Sequence, residues 1–161
     1  RDSWASRGLG DVYKRQKENY TATFDVPYEP GTLKAVNSKG KEEFVLKTAG
    51  EPAAIRLIAD RSKIKACKND LSYVKIELVD KNGNVVPETS LPVKIECTGK
   101  GTVIAGGNAA YADMESFRSL TPNTFRGKAI AIVQPDGEKG DIQVKVSAKG
   151  LEDASIVITT Y

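Results

Sequence analysis

Histidine is absent from all 161 residues. That removes the Ser-His and Cys-His nucleophile pairs, and with them the commonest metal ligand. There are two cysteines, Cys67 and Cys97, too few for a disulfide framework or a zinc site. Cys97 falls on the inward side of an alternating segment and reads as a buried thiol acting as a small hydrophobe. Cys67 lies in a polar turn, and a bridge between the two needs a specific geometry that the sequence does not supply. No run approaches the ~18 apolar residues of a membrane-spanning helix. Glycines occur as Gly99-Lys100-Gly101 and Gly106-Gly107, but no Gly-x-Gly-x-x-Gly or Gly-Lys-Ser/Thr pattern completes them, so they are turn and bulge glycines and not phosphate cradles. These absences imply no metal and no cofactor.

An excess of either charge is also lacking once the first sixteen residues are set aside. Arg1 to Gln16 contain the single Trp (Trp4) and show neither strand alternation nor an apolar helical face. Asp11-Val12-Tyr13-Lys14-Arg15-Gln16 reads as the translated end of a transposase adaptor, so residues 1–16 are expected to be a disordered sequencing artefact and are excluded from fold reasoning. The whole chain has 24 Lys and Arg against 21 Asp and Glu, a net charge of +3. Without Arg1, Arg7, Lys14, Arg15, Asp2 and Asp11 the balance is 20 against 19. The remaining charges are interspersed, which leaves no electrostatic footprint for a nucleic acid.

What is present is Val, Ile and Thr in short segments between Gly and Pro punctuation, an all-β composition. Residues 17–51 read as three strands. Tyr20, Ala22, Phe24 and Val26 alternate with Thr21, Thr23 and Asp25; Pro27 and Pro30 stop that strand. Leu33 to Val36 continues, Ser38-Lys39-Gly40 turns, and Phe44 to Leu46 returns. Three short strands do not bury a core of their own, so they read as the C-terminal strands of a truncated β domain. Residues 52–161 have the size and strand spacing of an immunoglobulin-like β-sandwich. Strands are expected at Ile55 to Ala59, Ile64 to Ala66, Leu71 to Asp80, Pro92 to Cys97, Gly101 to Ala105, Ala129 to Val133, Ile142 to Ala148 and Ala154 to Ile158. In the longest, Val74, Ile76 and Leu78 point inward and Lys75 and Glu77 outward. Asp80-Lys81-Asn82-Gly83-Asn84 is a turn with Asn-Gly supplying positive φ; Val85 and Leu91 occupy the places where a calcium loop needs Gly and Glu. Only Ala112 to Phe117 has the makings of a helical turn.

A glycosidase needs two carboxylates facing each other across a sugar, about 5–10 Å apart. Glu42, Glu43, Glu77, Glu88, Glu96, Glu115, Glu138 and Glu152 all fall in turns or on outward strand positions, so no catalytic residue is assigned. The long segment from Gly106 to Phe117 interrupts the regular sandwich, and long loops in compact domains are disproportionately functional. Tyr111 is the aromatic to consider for stacking on a carbohydrate, with Asn108, Asp113 and Arg118 as polar neighbours. Phe117 and Phe125 are expected to fill the core edge beneath the loop.

Several segments resemble the C-terminal region of family 2 glycoside hydrolases, the β-galactosidase group. Val26-Pro27-Tyr28-Glu29-Pro30-Gly31-Thr32-Leu33-Lys34-Ala35 is similar to the closing strands of an accessory domain in those enzymes. Thr48-Ala49-Gly50-Glu51-Pro52-Ala53-Ala54-Ile55-Arg56-Leu57 is similar to the joint into their last immunoglobulin-like domain. Asp70-Leu71, Tyr73-Val74 leading into Val79-Asp80-Lys81-Asn82-Gly83, Gly107-Asn108, Glu115-Ser116-Phe117 and Phe125-Arg126-Gly127-Lys128-Ala129 follow in the same order. Cys67-Lys68-Asn69 departs from the Asp-Gly turn usual there. The resemblance implies a non-catalytic accessory domain, with upstream domains of the same chain as partners and an oligosaccharide and a homo-oligomer of the parent as further ones. It also implies a parent that hydrolyses terminal β-glycosidic bonds with retention, and a periplasmic or extracellular location. Two other readings stand beside it: an immunoglobulin-like repeat of a bacterial surface adhesin, and a free-standing carbohydrate-binding module.

Overall fold

A computed structural model describes residues 4–7, 14–18, 21–36 and 43–161. These divide into two compact units, one ending at Thr48 and the other running from Ala49 to Tyr161. All regular elements are strands, and no helix occurs among the described residues.

The first unit holds β1 (Trp4–Arg7), β2 (Lys14–Glu18), β3 (Thr21–Phe24), β4 (Thr32–Val36) and β5 (Glu43–Lys47). All of β1 and the first three residues of β2 fall in the segment, residues 1–16, that the sequence excludes as an adaptor remnant: β1 pairs antiparallel with β4, and β2 with β3. Tyr20, the Ser38–Gly40 turn and Glu42 lie outside the described residues. The β4–β5 register sets Leu33 opposite Leu46 and Ala35 opposite Phe44. Period-two alternation puts those four on one face. Lys34 and Glu43 form an ion pair on the other. Thr48 closes the unit, its N–H donating to the Gly31 carbonyl at 2.8 Å and its hydroxyl accepting from the Gly31 N–H at 2.9 Å.

The second unit holds β6 (Ala54–Ala59), β7 (Lys63–Ile64), β8 (Ser72–Val79), β9 (Val93–Gly99), β10 (Gly101–Gly107), β11 (Lys128–Pro135), β12 (Gly140–Ala148) and β13 (Ala154–Thr160). They form two four-stranded sheets, ordered β10-β11-β8-β6 and β7-β13-β12-β9. The chain leaves one sheet after Ala59 and joins the other at Lys63, where β7 pairs parallel with β13 through Thr159 and Thr160. Asp60 makes the corner: its Oδ1 accepts from the Arg61 and Tyr73 N–H groups, both at 2.8 Å, and from the Ser72 hydroxyl at 3.2 Å.

Between the sheets lies a single apolar cluster built from alternate residues of each strand. Val74, Ile76 and Leu78 from β8, Ala131 and Val133 from β11, Ile142, Val144 and Val146 from β12, and Ile158 from β13 are all fully buried. Each buried Val, Leu or Ile side chain contributes about 1.5–3 kcal/mol, which makes this cluster the main source of cohesion. Glu77 takes the outward position expected of it but is not exposed. It alternates away from the core, yet its carboxylate is covered because Arg56 lies over it, donating through Nε at 2.9 Å and Nη2 at 2.6 Å to Oε2. Cys97 is half-buried, with burial raising its thiol pKa, and Cys67 is exposed; both are free thiols.

Candidate functional site

The turn after β8 is organised by one carboxylate. Asp80 is buried and accepts four hydrogen bonds: from the Gly50 N–H at 2.9 Å, the Asn82 and Asn84 N–H groups at 2.8 Å each, and the Asn84 side chain at 3.1 Å. The Gly50 bond leads the stabilisation of its charged form, and the Asp80 pKa falls to about 2. Only Gly83 in this turn takes positive φ, at 80°, so the Asn-Gly pair supplies one such residue and not two. The Gly83 carbonyl accepts from Arg56 Nη1 at 2.9 Å, linking the turn to the Arg56–Glu77 pair.

Residues 108–127 connect β10 to β11. Their return leg is fastened to the outer edge of β9: the Ile95 N–H donates to the Leu120 carbonyl at 2.8 Å and the Val93 N–H to the Pro122 carbonyl at 3.0 Å. Thr124 extends this contact, its N–H donating to the Leu91 carbonyl and its hydroxyl accepting from the Leu91 N–H. The segment Phe125-Arg126-Gly127-Lys128 is then a two-residue turn. Phe125 and Lys128 exchange both backbone bonds, and Arg126 and Gly127 have φ of 51° and 71°. Two positive φ values match the right-handed twist of adjoining strands. Gly127 is required here for a second reason: a Cβ would stand 2.3 Å from the Val86 carbonyl oxygen. The Arg126 guanidinium sits 5.5 Å from the centroid of the Phe125 ring.

The outgoing part of the loop contains the sequence-predicted residues. Asn108 is half-buried; its Nδ2 donates to Asp113 Oδ2 at 2.5 Å and to the Asn123 carbonyl at 2.9 Å, and its Oδ1 accepts from the Ala110 N–H at 2.8 Å. Asp113 also accepts from the Glu115 N–H at 2.9 Å, and Glu115 from the Asn123 side chain at 2.9 Å. The Glu115 backbone bond, then the Asn108 bond, hold the Asp113 pKa below its ordinary value. Asn108 and Asp113 are thus brought together, with their hydrogen bonds turned into the loop. Tyr111 stands apart at the tip, 99% exposed, near the equally open Met114. Phe117 does not fill the core edge: it is 71% exposed and lies across Gly107, where a Cβ would come within 2.8 Å of its ring. Phe125 is half-buried. Arg118 is exposed, its N–H bonded to Ser116 Oγ at 3.2 Å.

Three of the other acids named from the sequence sit in ion pairs at the surface, Glu43 with Lys34, Glu96 with Lys94 at 2.6 Å and Glu138 with Lys100. No group of three or more Cys, Asp or Glu among the described residues is arranged to hold a metal ion. Sequence reasoning missed Asp80 as an organising carboxylate, although an Asp two residues before Asn is the usual signal for such a turn. It also missed Ile130 and Ile132, which point away from the core; the unbroken apolar run Ala129–Val133 was their signal.

Two sheets around one apolar core, antiparallel except for the short β7–β13 pairing, define an immunoglobulin-like β-sandwich preceded by strands of another β domain. The second unit matches the family described as glycoside hydrolase family 2 C-terminal domain 5 over residues 55–157, and residues 6–44 match a domain of unknown function, DUF4982. The chain belongs to glycoside hydrolase family 2 as its C-terminal region. It is 32% identical over 151 residues to the β-galactosidase BoGH2A of Bacteroides ovatus, covering 92% of this chain and 18% of that protein. A glycosyl hydrolase family 2 member from Bacteroides cellulosilyticus has the same fold at a TM-score of 0.90 and 33% identity, covering 99% of this chain and 21% of that one. The chain therefore spans about a fifth of the length of these relatives. The D00-D0 domain of intimin is similar at a TM-score of 0.51 and 17% identity, a likeness of fold alone that lends the adhesin reading no support.

Proposed function

We propose that this chain is the non-catalytic C-terminal part of a β-galactosidase-like enzyme that hydrolyses terminal β-glycosidic bonds. The observation that carries the reading is the 32% identity to a β-galactosidase along 92% of the chain. The first unit fits the end of a larger β domain: Phe44 and Leu46 lie on one sheet face and are 65% and 54% exposed. Within the parent, the second unit supports the domains before it and a homo-oligomer, in a periplasmic or extracellular enzyme.

The loop tip is the place for oligosaccharide contact. Tyr111 offers an aromatic face to sugar C–H surfaces, and Asn108 and Asp113 hold the loop in shape beneath it. A preorganised loop loses less entropy on binding than a floppy one.

The experiment is to recover the coding sequence around this segment, express the whole protein, and assay it on aryl β-galactosides beside the 161-residue chain. Hydrolysis by the whole protein and none by the chain is expected. A whole protein of repeated sandwiches without hydrolase activity refutes the reading. Within an active parent, Tyr111→Ala lowers oligosaccharide affinity; unchanged affinity removes the loop contact.

A further inference from the structure

The two outer faces of the sandwich differ in chemistry. On the β7-β13-β12-β9 sheet the outward positions include Lys94 and Glu96 of β9, Asp141, Gln143 and Lys145 of β12, and Ser155 and Thr159 of β13, with Val157 the one exposed large hydrophobic among them. Such a face is stable in water. On the β10-β11-β8-β6 sheet, register aligns Ile58, Lys75 and Ile130 in one outward row and Tyr73 and Ile132 in the next. Gly107 completes the first row opposite Ile130, and Phe117 lies over it. Ile58 and Tyr73 are 36% and 40% exposed, and Phe117 more so. Over Ala129–Val133, β11 is therefore apolar on both faces, a pattern of strands covered on both sides. A contiguous apolar patch rimmed by charge marks an interaction surface. Here Arg56, Glu77 and Lys128 form one border, and Lys75 lies within the patch between Ile58 and Ile130.

We infer that this outer face, centred on Tyr73, Ile130 and Ile132 with Phe117 at its edge, docks against an upstream domain of the same polypeptide. The inference rests on the reading of the chain as the tail of a longer enzyme. The relatives extend about five times the length of this chain, so a tethered partner is available at an effective concentration no free partner matches. Across this face Arg56, Lys75 and Lys128 stand against the single carboxylate of Glu77, a net positive charge that suits a surface carrying acidic residues on that domain.

The test is hydroxyl-radical footprinting of the 161-residue chain and of the whole parent protein, read by mass spectrometry. Tyr73 and Phe117 report on the proposed face. Val157 and Tyr161, exposed elsewhere on the second unit, are the controls. In the parent, oxidation of Tyr73 and Phe117 falls at least about fivefold relative to the chain, while Val157 and Tyr161 change less than twofold, the contrast expected of a desolvated interface core. Equal oxidation of Tyr73 in the two proteins overturns the inference. Protection in the 161-residue chain that grows with its concentration also overturns it, because the occupant is then a second copy. A galactosidase assay on the same parent sample separates the two readings. Protection without hydrolysis sinks the enzyme assignment alone; hydrolysis without protection sinks the docking face alone.

Discussion

The Arg56–Glu77 pair gives the sharpest test of the packing. Both Arg56 Nε and Nη2 donate to one carboxylate oxygen, at 2.9 and 2.6 Å. The Glu77 side chain is 9% exposed, whereas that of Arg56 is 41% exposed. An exposed ion pair contributes about 0.2–1 kcal/mol, and a hydrogen bond to a charged group away from water about 1.5–3 kcal/mol. With one partner covered and the other half open, the coupling should fall at about 1–2 kcal/mol. It is measured with a double-mutant cycle of Arg56→Met, Glu77→Gln and the combined variant, by urea unfolding followed with far-UV circular dichroism. Arg56→Met should be the costlier single change, at about 2–3 kcal/mol, because it strands a covered carboxylate. It also removes the bond to the Gly83 carbonyl. Lys128, whose Nζ is 4.0 Å from Glu77, is retained throughout and cannot imitate the coupling. A coupling below about 0.3 kcal/mol, within the error of such cycles, would show that the pair behaves as a surface pair and would refute the argument from burial.

Three further outcomes follow from the same packing. Ile142→Ala empties a fully buried site in the central strand β12 and should cost about 3–4 kcal/mol, whereas Val157→Ala on the neighbouring strand should cost under about 0.5 kcal/mol; urea midpoints at constant slope decide between them. Asp80 titrates at about 2 in the folded chain against an ordinary 3.8, so the unfolded chain binds more protons between those values; its stabilisation is complete above the higher pKa, is lost as pH falls through the lower one, and should vanish from the pH profile of Asp80→Asn. Gly127→Ala combines positive φ with a Cβ 2.3 Å from backbone and should lower the melting temperature more than Gly137→Ala, which has positive φ but open space around it.

The sandwich was legible in the sequence because its strands alternate. Ile142, Val144 and Val146 against Gln143 and Lys145 leave one choice of inner face, and register follows from that choice. Glu77 was not legible, because alternation reports direction and not cover: what hides its carboxylate is Arg56, twenty-one residues away and on another strand. The long loop was visible only as an interruption. Its return leg carries no strand-like alternation, yet Leu120 and Pro122 supply carbonyls to β9, an attachment set by backbone groups that side-chain pattern does not reveal. Phe117 was misjudged for a related reason. Its type predicts burial, but the hydrogen bond from the Gly106 N–H to its carbonyl fixes the backbone so that the ring lies over Gly107 on the outside.

That return leg has a meaning beyond holding the loop. A sheet that ends in a bare strand is a template on which another chain can add. Leu120 to Thr124 occupies the outer side of β9 with a stretch too irregular to be extended in turn. Shortening the connection between β10 and β11 would therefore do more than trim a surface feature. It would uncover Val93 and Ile95 as free donors at a sheet boundary, and turn a self-contained sandwich into one that can recruit its own copies strand by strand.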